Sequence, residues 1–186
     1  MKYSKYKYFF NAIHYSLWVN DIRIGKIIGR VVNVLLSHIS KYLFLQEYIK
    51  NYNEKLEKEQ EKTENVFYNK KTGYHIGWAN HWFGYFYSGY SLFFSFILGG
   101  FSIREYNHLS IELKILIFAV PIGVLYIPAY KAIYAQNRYL KYFKKFEKED
   151  EHWHKKWKWI TFAFCIGSII ATFLGICAAF AIAIVQ

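Results

Sequence analysis

The side chains best suited to metal ligation or proton transfer in this sequence are seven histidines, thirteen acids and two cysteines. The densest grouping is Glu147, Asp150, Glu151 and His154, at offsets 0, +3, +4 and +7, with His152 beside them. On one helical face that spacing could offer carboxylates and imidazole to a divalent ion. The run reads KKFEKEDEHWHKK, however, and every acid has a lysine within four residues. Solvated ion pairing explains it more simply, so no metal and no cofactor are assigned, and Glu147, Glu151 and His154 stand as a weak metal site. His75 and His81 could be proton-sensitive groups at the mouth of a bundle, although interfacial hydrogen bonding is the simpler role. Cys165 and Cys177 are twelve residues apart, about 18 Å along a helix, and cannot pair with each other. No nucleophile constellation, glycine-rich phosphate loop or zinc-protease motif occurs, and no catalytic residue is assigned.

The elements that carry these residues follow from where charge is missing. Lys, Arg, Asp and Glu are absent between Lys71 and Arg104, between Lys114 and Lys131, and after Lys158. The last gap, ITFAFCIGSIIATFLGICAAFAIAIV, exceeds the ~20 apolar residues that cross a bilayer. The sequence therefore predicts an all-α polytopic membrane protein with three transmembrane helices, over 85–103, 109–130 and 159–185. The core of the middle one is only 16 residues, about 24 Å as helix, and spans only if extended through Leu109–Lys114. Its Pro121 and Pro128 predict a kink. Residues 1–72 are read as an amphipathic, cytoplasmic or interfacial helical region, 73–186 as the membrane domain, and 131–158 as a cytoplasmic connection.

Basic residues give the orientation. Thirteen precede the first span, nine lie between the second and third, and two, Arg104 and Lys114, occupy the turn between. The positive-inside rule then places the N-terminus in the cytoplasm and the C-terminus outside. Trp78, Trp82, Trp153, Trp157 and Trp159 are predicted to form an interfacial aromatic belt. The first twenty residues lack a small-residue cleavage site, and their apolar run is broken by Asn11, His14 and Asn20, so they are expected to stay in the mature protein.

Ile22–Ile49 has helical periodicity. Arg23, Lys26, Arg30, Asn33, Ser37 and Lys41 form a polar stripe on an otherwise aliphatic helix, and Arg23, Lys26, Arg30 and Lys41 are expected to face anionic lipid, or the helix to pack on a partner. The net charge of +11 is assigned to the membrane surface rather than to nucleic acid, for which no binding motif is present. Leu140, Phe143, Phe146, Trp153 and Trp157 make a second apolar stripe, expected to lie near the membrane surface or to extend the spans.

In the last helix Ala163, Gly167, Ala171, Gly175, Ala179 and Ala183 recur every fourth residue. Such a ridge lets helix backbones approach closely in lipid. Two uses stay open: self-association of copies, or packing within the chain against Ser91, Ser95 and Gly99. At about 100° per residue the stripe drifts about 40° per step, which suits an inclined crossing.

The segment TGYHIGWANHWFGYFYSGYSLFF, then a hairpin, then YAQNRYLKYFKKFEK, resembles a family of small bacterial membrane proteins of unknown function. The matching positions are Trp78, Ala79, Phe83, Gly84, Tyr134, Asn137 and Tyr139, over about 75 residues. The resemblance implies a topology and a bacterial origin, not an activity, and the location expected is the bacterial inner membrane. The function expected is that of a non-enzymatic effector or regulator of the membrane, homo-oligomeric, with a pore former as its most concrete form. Its expected partners are membrane lipids, further copies of itself and a protein on the cytoplasmic face. The alternatives are a membrane-interface metal-dependent enzyme using His75, His81, His152 or His154, and an accessory subunit of a larger complex.

Overall fold

In the computed structural model, residues 4–42, 66–105 and 108–184 are described, with side chains to residue 39 in the first stretch. The main elements are helical: α1 (Lys5–Tyr42), α2 (Tyr74–Glu105), α3 (Ile111–Ile133), α4 (Arg138–Phe146) and α5 (Glu151–Ile184). No strand occurs among the described residues. The chain divides into two compact units, Met1–Ser16 with His81–Gln186, and Leu17–Asn80. The first sixteen residues thus cluster with His81–Gln186 rather than with the rest of α1.

Three helical stretches are long and apolar enough to cross a membrane: Tyr74–Glu105, Ile111–Phe146 and Glu151–Ile184. The short middle segment is resolved by α3, a continuous 23-residue helix that runs through Pro121 and Pro128. At 1.5 Å per residue it is about 34 Å long, enough to cross the hydrocarbon core. Ser110 sets its start, with extended backbone and a hydroxyl that accepts from the Leu113 N–H at 3.5 Å. Much of the surface of these spans lies outward. On α5, Phe162, Ile166, Ile169, Ile170 and Phe173 are all exposed, a face that needs hydrocarbon around it.

In the larger unit α2 and α3 form an antiparallel hairpin. The Tyr87 hydroxyl donates to the Leu125 carbonyl at 2.8 Å, and farther along Phe96 meets Phe118 edge-on at 5.3 Å. Helix α5 lies parallel to α2. A Cβ at Gly175 would stand 2.8 Å from the Phe93 Cα, and one at Gly100 would stand 2.9 Å from the Ala179 backbone. Thr172 Oγ1 donates across the same seam to the Gly89 carbonyl, 3.3 Å away. The small-residue ridge is therefore spent on packing within the chain, at least over Gly167–Ala179.

Between α3 and α4 the chain turns through two consecutive left-handed residues, Gln136 (φ 59°) and Asn137 (φ 52°). Asparagine visits this region readily, glutamine much less so. The turn ends the hydrophobic run of α3 and lays α4 so that Tyr139, Tyr142, Phe143 and Phe146 are buried.

Candidate functional site

The polar and aromatic residues of the larger unit converge on the first turns of α1. Residues Asn11–Ser16 are all buried, with Asn11, Ala12, Ile13 and His14 fully so. A helix interrupted by Asn11 and His14 reads from sequence as a broken apolar run. In the structure these two residues are what fits α1 to its site.

A helix leaves its last four carbonyls without intrahelical donors. At the end of α3, Tyr134 N–H serves the Tyr130 carbonyl and Arg138 Nη1 donates to the Lys131 carbonyl at 2.7 Å. The next carbonyl, of Ala132, lies in a fully buried residue and accepts from Asn11 Nδ2 at 3.0 Å. The same amide nitrogen also donates to the Lys7 carbonyl at 2.7 Å. One turn on, the His14 ring is enclosed by Phe83, Tyr134, Tyr139 and Phe143, with centroids 5.4 to 5.9 Å away. Tyr8 receives a hydrogen bond at its hydroxyl from Trp153 Nε1, at 2.9 Å, and meets Phe146 and Trp157 edge-on. Burial, with the Glu147 carboxylate as a smaller cause, pushes the Tyr15 hydroxyl up to about 12. A neutral phenol is therefore what this site holds.

The stripe of Phe143, Phe146, Trp153 and Trp157 is accordingly covered by α1 rather than laid on a membrane surface. Trp153 and Trp157 belong to this core, with Trp157 only 8% exposed, whereas Trp78, Trp82 and Trp159 are exposed. The acid–histidine group does not share one helical face. Helix α4 ends at Phe146, α5 begins at Glu151, and Asp150 Oδ1 accepts from Trp153 N–H at 2.7 Å across the break. Glu151 pairs with Lys155 at 2.9 Å in solvent, and the His154 ring lies against Tyr15 and Trp153. No group of three or more His, Cys, Asp or Glu residues that could hold a metal ion occurs among the described residues.

The smaller unit has a polar clasp of its own, which sequence reading missed. His75 Nδ1 lies 2.6 Å from Asp21 Oδ2, and both side chains are largely shielded. Gly25 makes room for the ring, since a Cβ there would stand 2.8 Å from His75 Cε1. Tyr68 packs on His75 at 5.2 Å, while Lys26 lies over the Tyr68 ring and Lys70 over that of Trp18. Lys26 is thus engaged with an aromatic face as well as exposed. His81 lies instead beside Trp82, and His152 is exposed.

Beyond this clasp α1 exposes nearly every side chain. Ile24, Ile27, Ile28, Val31, Val32, Val34, Leu35, Leu36 and Ile39 are 44–56% exposed, alongside the exposed cations Arg23 and Arg30. The side chain of Lys41, and residues 43–65, lie outside the described residues.

The α2–α5 seam selects among the expected packing residues. Gly167 faces the Tyr90 hydroxyl, Gly175 faces Phe93, and Ala179 faces Gly100, while Ala163 is exposed. Beyond Trp157, the buried residues of α5 are Thr161, Ser168 and Gly175, spaced by seven. Seven residues return to within about 20° of the starting direction, so this line keeps facing one partner where the four-residue ridge drifts away. On α2, Ser91 and Ser95 are buried, but Gly89, Phe93 and Gly100 make the backbone approach, and Gly99 faces Phe118 of α3. Comparison with known protein families, characterised proteins and solved structures returned no match.

Proposed function

We propose that this chain is a non-enzymatic membrane effector or regulator that works as a homo-oligomer, joined through the aliphatic part of α1. The observation that carries the reading is the run of nine exposed aliphatic side chains between Ile24 and Ile39. An apolar surface of this extent in water marks an interaction site. Arg23, Lys26 and Arg30 make it expensive to bury as a membrane span. A second copy of the same helix satisfies the aliphatic face and leaves the cationic stripe toward anionic headgroups. The packing ridge of α5, the other feature suited to self-association, is occupied by α2 within the chain.

The setting proposed is a bacterial inner membrane, and the distribution of basic residues supports an N-terminus in the cytoplasm and a C-terminus outside. The test is particle mass in mild detergent. Wild type is expected at a multiple of 22.3 kDa, and Val31→Asp with Leu35→Asp at the monomer mass. A doubly substituted protein of unchanged mass would overturn the reading.

A further inference from the structure

We infer that a groove where the start of α1 meets the spans holds one acyl chain of an anionic phospholipid, with the phosphate at Lys5 and Lys7. The groove encloses about 360 Å³, the size of a small ligand site. Its walls include Phe9 and Phe10 of α1, Tyr87, Tyr90 and Phe94 of α2, and Leu125 of α3.

Three observations fix the chemistry of the occupant. Both phenols in the wall are turned away from a ligand: Tyr87 donates to the Leu125 carbonyl at 2.8 Å, and Tyr90 to the Phe164 carbonyl at 2.7 Å. Apart from the largely buried Ser91, what remains lining the groove is ring and aliphatic surface, which suits a hydrocarbon better than a polar solute. Secondly, the walls from α2, α3 and α5 belong to helices apolar enough to cross a membrane. Phe94 is 51% exposed at the rim, so the groove opens toward lipid rather than toward water.

The third observation is charge. Lys5 lies one turn before Phe9 and Lys7 one turn before Phe10, so the two cations flank the face that carries the groove's rings, one on each side of it, with the Lys7 ammonium over the Tyr6 ring at 5.7 Å. No acid occurs in α1 before Asp21, so nothing in these first turns offsets them. Each basic residue near a membrane surface favours anionic lipid by roughly fivefold. Two together predict a preference for anionic over zwitterionic headgroups on the order of tenfold or more.

The experiment uses purified full-length protein in nonionic detergent, titrated with lysophosphatidylglycerol or lysophosphatidylcholine of equal chain length and read by native mass spectrometry. One retained lysophosphatidylglycerol per chain is expected, bound about tenfold more tightly than the choline lipid. Lys5→Gln with Lys7→Gln should bring the two lipids to parity. Phe94→Trp and Leu125→Trp, which fill the groove from two walls, should abolish retention. In parallel, a phosphatidylglycerol with a diazirine on its acyl chain is photolysed with the wild-type protein, and should label peptides carrying Phe94 and Leu125 above those carrying the outward Phe173 and Phe180. Equal retention of both lipids, retention by folded groove-filled variants, or labelling spread evenly over the outer face of α5 would each overturn the assignment. Labelling lost as chains associate would assign the groove to a second copy instead.

Discussion

Replacing Gly175 with alanine tests the α2–α5 seam directly. The new Cβ would stand 2.8 Å from the Phe93 Cα, 3.2 Å from its carbonyl oxygen and 3.4 Å from the Phe96 Cβ. Carbon atoms rest at about 3.5 Å or more, so the helices must part by about 0.7 Å at this level. The atoms in the way are backbone and Cβ, which no rotamer change can move. Overpacking of this kind costs about 1–3 kcal/mol, against a gain of about 0.5–1 kcal/mol for removing a glycine from a helix. Gly123→Ala supplies the control, since a Cβ there meets nothing within 4 Å and only the helix gain applies. The two variants should therefore differ by about 2 kcal/mol, with Gly175→Ala the less stable. Gly100→Ala, opposite the Ala179 backbone, should behave like Gly175→Ala. The double variant should lose less than the sum, because one displacement relieves both contacts. Unfolding by heat or by added SDS in detergent, followed by far-ultraviolet circular dichroism, reads the effect. If Gly175→Ala unfolds with Gly123→Ala while particle mass falls, the ridge joins separate copies and the intrachain seam is refuted.

Further outcomes follow from the packing of α1 and the turn after α3. Asn11→Leu leaves the buried Ala132 carbonyl without its donor and should destabilise by about 1–3 kcal/mol, measured by the same unfolding assay. Gln136→Gly relieves a left-handed residue and should stabilise by about 1 kcal/mol, whereas Gln136→Val should destabilise. Tyr15 binds its proton more tightly when folded than when unfolded. Its contribution is complete below pH 10 and is lost as pH rises toward about 12, so Tyr15→Phe should flatten the alkaline fall in stability over that window.

Some of this structure is legible in the residues taken one stretch at a time. The three charge-free runs dictate three spans, because a helix satisfies its own backbone and only side-chain polarity decides whether hydrocarbon accepts it. The aliphatic run of α1 after Asp21 and the small-residue ridge of α5 are legible for the same reason, as each is a property of one helix.

Tertiary structure decided everything that needs a partner from elsewhere in the chain. Asn11 and His14 interrupt an apolar run in the sequence, yet they are buried, because the orphan carbonyl of Ala132 and the rings of Phe83, Tyr134, Tyr139 and Phe143 come from segments 69 to 129 residues away. Asp21 and His75 form their clasp across 54 residues, and although His75 draws notice in the sequence, nothing local points to Asp21 as its partner. The α5 ridge could equally have met another copy. It meets α2 because Gly89 and Gly100 supply the matching hollows among aromatic residues, a complementarity no periodicity along α5 contains. The acid–histidine group failed as one face because Asp150 caps a new helix between its members, trading a continuous helix for a satisfied N-terminus.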